Sequence, residues 1–409
     1  MSLSTRWWPA VVVVGQLASA PASAAQSKAG PAQPTLDSAT SRRVAENVVN
    51  KVAHVRPGEL VLLSGGERDI PLLEDLSIAV SKVGAYPIIS YQSNRLVRRY
   101  FEEVPASLDT LSPQLRIFSA TDVFIGTDYI DPATFGGIDP ARLAARQKAD
   151  APFRAALQTW KGRTVTLGNG LYPTPGAARQ ANISLPALTA MYRAGLDVDY
   201  DALGRTAELV RTALAKGKDI HLTAPNGTDL QAKIGGQTPY VSDGVISDAD
   251  RAGSLAQRAA YLPAGEAYVV MAPGSATGKL IMDRTWYRDH PITKLQVDVE
   301  AGKVRRLSAA AGAGTLQTDY DKAGACKDQV GVLDIGLNPA IHPPAGSHLQ
   351  PWSQSGVVTI AIGNNQWAGG NNTGEFALAV QLADATLVVD GKTLVDHGRL
   401  APMASEASR

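Results

Sequence analysis

The chain has 409 residues, 39 basic against 38 acidic side chains, and one cysteine, Cys326. Near-neutral charge argues against a nucleic-acid partner or an anionic membrane surface. A lone thiol excludes an internal disulfide, and the length suffices for two domains of ordinary size.

Residues 1–24 read as a secretory signal peptide. Arg6 precedes an apolar run from Trp7 to Leu17, and Ala22-Ser23-Ala24 offers a small-x-small cleavage site. The run is shorter than the roughly 20 residues that span a bilayer. The expectation is therefore an exported protein, periplasmic or secreted, with no membrane span once the signal is removed. Residues 25–40 are small, polar and proline-containing, and read as a flexible leader.

An α/β domain is expected over 41–195. Val44, Val48 and Val52 form one helical stripe, and "GELVLLSGG" is a short apolar strand ended by glycines. Pro71 to Val83 is helical, "AYPIISYQ" is a strand, and Arg95 to Glu103 is a polar helix. "TDVFIGTDY" and "RTVTLGNG" are two further strands. Strands alternating with helices indicate a parallel sheet. "SGGERD" at 64–69 lacks the glycine spacing of a phosphate loop and reads as a tight turn from strand to helix.

Residues 196–216 form a helical connector, with Leu203, Val210 and Leu214 on one face and Gly217 as the stop. A β-rich, largely antiparallel domain follows over 217–401, with a tail at 402–409. Its strands are "DIHLTAP", "DLQAKIGG", "EAYVVMA", "GKLIMD", "KLQVDV", "KVRRLSA" and "ATLVVD", and "EAGK" and "DGKT" are hairpin signals. "SGVVTIAIGNNQWAGGNNTGEFALAV" (355–380) reads as strand, glycine- and asparagine-rich loop, strand. A ligand cleft is expected where the two domains meet, lined mostly by β-domain residues.

Several ordered stretches carry a family likeness: "LYPTPGAA" (171–178), "GTDL" (227–230), "LPAGE" (262–266), "GLNP" (336–339), "IAIG" (360–363) and "GGNN" (369–372). Together they resemble the aminopeptidase T and aminopeptidase S family of metallopeptidases, over roughly 42–400. The resemblance implies an N-terminal α/β domain, a β-rich C-terminal domain and a homodimer. It also implies two divalent metal ions, zinc or cobalt, that activate water to remove N-terminal residues from peptides. Ring-cleaving dihydroxypyridine dioxygenases, with one iron, look like distant relatives. The family draws its ligands from a GExGxGxNP motif, an acidic loop, a GTxHxAxG motif and a closing HxD. Here Glu266 matches the first ligand. The later glutamate position is Val332, the acidic loop falls near Trp352, the histidine position is Thr359, a tyrosine position is Gln366, and the closing pair aligns with Ala377 and Ala379.

Other residues offer substitutes. Asp334 stands two positions after Val332, on the same face if the stretch is a strand. His342 and His348 lie in the following loop, so Glu266, Asp334, His342 and His348 are the candidates for a rebuilt metal site of mixed nitrogen and oxygen ligands. Against this, loop histidines are commonly just solvated. Glu375 is the one acid in the closing loop, a candidate base beside Glu266 and Asp334, or a surface carboxylate. Asn365, Asn372 and Trp367 suit a peptide or small-molecule ligand, yet asparagine and glycine are also ordinary turn residues. No G-x-S-x-G elbow is present, and His54, His221, His290 and His397 carry no motif. Three functions stay open: a peptidase relative with altered or lost chemistry, a non-catalytic peptide- or small-ligand-binding envelope protein, and a structural dimer.

Overall fold

The computed structural model describes residues 34–109, 112–287 and 290–403. The expected signal peptide and most of the tail lie outside these residues. The chain divides into two compact units, one holding the segments up to Asp197 plus Gly244–Pro263, the other Val198–Asp243 and Ala264 onward.

The first unit is built on β1 (Leu60–Gly65), β2 (Tyr86–Tyr91), β3 (Val123–Thr127) and β4 (Arg163–Leu167). The chain then lays down β5 (Asp219–Thr223), β6 (Asp229–Lys233) and β7 (Tyr240–Ser242) in the second unit, and returns to the first with β8 (Ala259–Leu262). The first sheet runs β2-β1-β3-β4-β8 and is parallel throughout. Its buried runs "VFIGT" and "RTVTL" are covered on both faces, as a parallel sheet requires. On one face Leu62 and Phe124 pack with Phe118, Phe153, Leu157 and Trp160. The return of Gly244–Pro263 departs from the assignment of all of 217–401 to the β-rich domain. A four-residue strand carries too little local pattern to reveal which sheet it joins.

Val44, Val48 and Val52 are buried as expected, but the helix Ser38–Asn47 widens to a π-helical turn over Val48–Val52. The leader expected to be loose is anchored from Thr35 onward. Thr35 and Leu36 are buried, and Arg193 Nε donates to the Thr35 carbonyl at 2.8 Å.

The second unit continues with β9 (Glu266–Val270), β10 (Thr277–Tyr287), β11 (His290–Glu300), β12 (Lys303–Ser308), β13 (Val330–Gly336), β14 (Val358–Gly363), β15 (Ala377–Leu382), β16 (Thr386–Val389), β17 (Lys392–Asp396) and β18 (Arg399–Leu400). They form two antiparallel sheets. One runs β12-β11-β10-β6-β5-β16-β17-β18, the other β15-β14-β13-β9-β7. Both hairpin signals form: Ala301-Gly302 and Asp390-Gly391 take positive φ at each central position, the turn whose twist suits antiparallel strands. The architecture is an α/β unit with a parallel sheet and a β-rich, antiparallel unit. Among the described residues no helix is long and apolar enough to cross a membrane.

Candidate functional site

The motif-bearing residues converge on the sheet β15-β14-β13-β9-β7. Directly opposed residues of antiparallel strands project to the same side, and the side alternates along each strand. Asp334 opposes Tyr268 on β9 and Thr359 on β14, and Glu266 opposes Gly336 on β13 and Ser242 on β7. Val332 opposes Ala361, Ala361 opposes Ala379, and Gly363 opposes Ala377. Glu266, Val332, Asp334, Thr359, Ala377 and Ala379 therefore share one face. The other face carries Val269, Leu333, Ile335, Ile360 and Val380, all buried.

The shared face is packed with apolar groups. Tyr268, Val332, Ala361, Trp367 and Ala377 form one buried cluster, with Tyr240 and Ala379 against it. The Tyr268 ring lies 5.0 Å from Tyr240 and 5.1 Å from Trp367, centroid to centroid. Val332 is 0 % exposed, Asp334 2 % and Glu266 5 %. The motifs hold one another: Asn338 of "GLNP" donates from Nδ2 to the Ala264 carbonyl of "LPAGE" at 2.7 Å, and Leu337 N donates to Gly265 O at 2.9 Å.

The remaining candidates are placed elsewhere. His342 is exposed in the loop after β13, and His348 stacks on Trp286 at 3.9 Å with 19° between the planes. Among the described residues no three of His, Cys, Asp and Glu are placed to hold a cation together. The set Glu266, Asp334, His342 and His348 is thus not gathered, because the sheet fixes the two acids while the histidines follow a loop. Two metal ions held about 3.5–4 Å apart need several carboxylates and imidazoles converging from one cleft. Valine and alanine at 332, 377 and 379 supply no donor, so this face does not fit a two-metal centre.

The loop between β14 and β15 spends its polar groups on itself. Asn365 Oδ1 accepts from Asn372 N at 2.8 Å, and Asn372 Nδ2 donates to the carbonyls of Gly363 (2.6 Å) and Cys326 (2.9 Å). Asn364 Nδ2 donates to Gly374 O at 2.6 Å, and Trp367 Nε1 donates to Asn364 O at 3.1 Å. The amides and indole expected to face a ligand instead close the loop, and its positive φ angles fall on Gly369 and Gly374. Glu375 is exposed, as a surface carboxylate would be.

Sequence reasoning missed a polar centre in the α/β unit. The "SGGERD" turn places Asp69, 0 % exposed, at the carboxyl ends of β1 and β3. Its Oδ1 accepts from Thr35 Oγ1 (3.0 Å) and Tyr172 Oη (2.7 Å), its Oδ2 from Gly66 N (3.0 Å) and Thr127 Oγ1 (2.5 Å). The local signal was an acid three residues after Gly66, the glycine that follows the strand, where it reaches back to that backbone N–H. Beside it, burial pushes Asp128 up to about 7; the Asn169 N–H opposes this and the Asp69 charge adds to it.

The sequence profile of the thermophilic metalloprotease (M29) family matches residues 38–327, more than half of the chain. Wild-type AmpT from Thermus thermophilus superposes with a TM-score of 0.64 at 17 % identity, covering 89 % of this chain and 99 % of that one. The 2,5-dihydroxypyridine dioxygenase from Pseudomonas putida KT2440 gives 0.58 at 15 % identity, covering 91 % and 100 %. At such identities the likeness is one of fold. No curated protein sequence matches the chain.

Proposed function

The chain belongs to the thermophilic metalloprotease (M29) family, and from that premise we propose that it is an exported aminopeptidase T-type relative whose metal-dependent peptidase activity is reduced, altered or absent. The family generally uses divalent metals. What carries the reading is the packing of Val332, Ala377 and Ala379 under Tyr268 and Trp367, on the face where the resemblance sets the ligands. Export is supported by Arg6, the apolar run and the Ala22-x-Ala24 site. A homodimer is what the family resemblance implies.

A second reading, binding of a peptide or small ligand without turnover, draws on two acids present on that face, Glu266 and Asp334, beside the Tyr268 ring. A leucine-anilide assay with and without cobalt or zinc tests the first reading, with no chelator-sensitive turnover expected. Turnover abolished by chelator and restored by metal refutes it. A rise in melting temperature with added dipeptides supports the second reading, and no rise removes it. For export, intact mass should place the mature N-terminus after Ala24, and a chain still starting at Met1 contradicts that.

A further inference from the structure

The carboxyl ends of β1, β3 and β4 hold a second feature, independent of the family's chemistry. In the order β2-β1-β3-β4-β8 the chain goes from β1 outward to β2 and then crosses back to β3. Loops diverge at such a switch point, and here two acids occupy it. Asp69 has both oxygens filled by hydroxyl and N–H donors. Asp128, one residue beyond Thr127, is only half-buried as a residue, but its carboxyl lies directly on Gly168: a Cβ there would come within 2.1 Å of Oδ2. Gly168, Asn169 and Gly170 all take positive φ, which the two glycines adopt freely and Asn169 more readily than most residues. Gly168 N donates to Leu262 O at 2.6 Å and Asn169 Nδ2 to Pro263 O at 2.7 Å. Three residues after Asn169, Tyr172 reaches Asp69.

A carboxyl pressed onto the Gly168 backbone is out of water, and a negative charge beside Asp69 adds to the cost, so the seated position suits Asp128 with its proton on. We propose that Asp128 is a pH-sensitive latch on the 168–172 segment: protonated, it stays seated on Gly168 beside Asp69, and ionised, it moves toward solvent and loosens the segment. The proton leaves to water by the exposed side of the residue. The other titratable groups nearby are Tyr129, Tyr172, Arg68 and Asp131, of which Tyr172 donates to Asp69. Burial and the Asp69 charge hold Tyr129 and Tyr172 in their neutral forms. Arg68 donates to the Pro173 carbonyl, and Asp131 accepts from Gly176 N at 2.7 Å and Ala133 N at 2.8 Å.

The seated form binds a proton more tightly than the open form, whose acid has an ordinary carboxylate affinity. Closure is therefore strongest below the ordinary range near 4, weakens as pH rises, and levels off above about 7. The test is hydrogen exchange of residues 168–172 in the intact protein at pH 5, 6, 7 and 8, expressed as protection factors, with β13 as the internal control. Protection of the segment should fall by up to about tenfold per pH unit between 5 and 7 and then flatten, while Asp128→Asn shows no such slope. Protection independent of pH in the wild type, or the same slope in Asp128→Asn, overturns the proposal. Carbon-13 titration of the Asp128 carboxyl in the wild type needs no variant: a midpoint raised above the ordinary range near 4, between it and about 7, supports the latch, and one near 4 contradicts it.

Discussion

At the ends of β1 and β3 one buried carboxylate, Asp69, collects four donors from residues 35, 66, 127 and 172. On the face of β15-β14-β13-β9-β7, where the family resemblance sets metal ligands, Val332, Ala361 and Ala377 pack beneath two aromatic rings. The α/β unit thus keeps an acid by satisfying it completely, which is how a buried charge is tolerated. The β-rich unit holds its motifs together by hydrogen bonds, while Val332 and Ala377, where the resemblance sets metal ligands, are packed in a core. Backbone architecture and site chemistry have different supports: the first is held by main-chain bonds and packing, the second by a few side-chain tips.

The sharpest way to break this contrast is to put a ligand back. Val332→Glu should cost about 5 kcal/mol, the sum of overpacking a filled position and stranding a polar group there. Chemical denaturation measures it, and a variant as stable as wild type shows that the face is roomier than described. Trp367→Ala is next, with a loss of about 4 kcal/mol from removing the ring that covers Tyr268 and Ala377. A loss below about 1 kcal/mol argues that the cluster is not a core. Asp69→Ala should cost about 3 kcal/mol by leaving buried donors without their acceptor, and should raise exchange in residues 34–37 and 168–172. An effect confined to one of those segments denies that the acid ties them together. Smallest of all, Glu375→Gln should stay within about 0.5 kcal/mol, as for an exposed side chain, and leave any activity unchanged. A drop in activity restores Glu375 as a candidate base.

Much of this was legible beforehand, for definite reasons. Short apolar runs located β1 to β4, with glycine closing those of β1 and β4, and the two turns at 300–303 and 390–393 announced their hairpins. Period-two alternation put Val332 and Asp334 on one face, and the register bears it out. The return of β8 was not legible, because nothing in "AAYL" distinguishes a parallel edge strand from another short apolar run. Nor was the Asp69 centre, whose four donors are scattered from residue 35 to residue 172 and meet only in the folded chain. The asparagines at 365 and 372 were ambiguous for another reason. An amide that closes a loop and one that meets a ligand look the same until its hydrogen bonds are known.

The central claim is that this family member does not assemble the two-metal centre. Purified full-length protein is incubated with excess cobalt or zinc, dialysed exhaustively, and its metal content measured by inductively coupled plasma mass spectrometry. The account predicts a content well below one ion per chain. Two ions per chain, lost on mutating Glu266 and Asp334 to alanine, would contradict it.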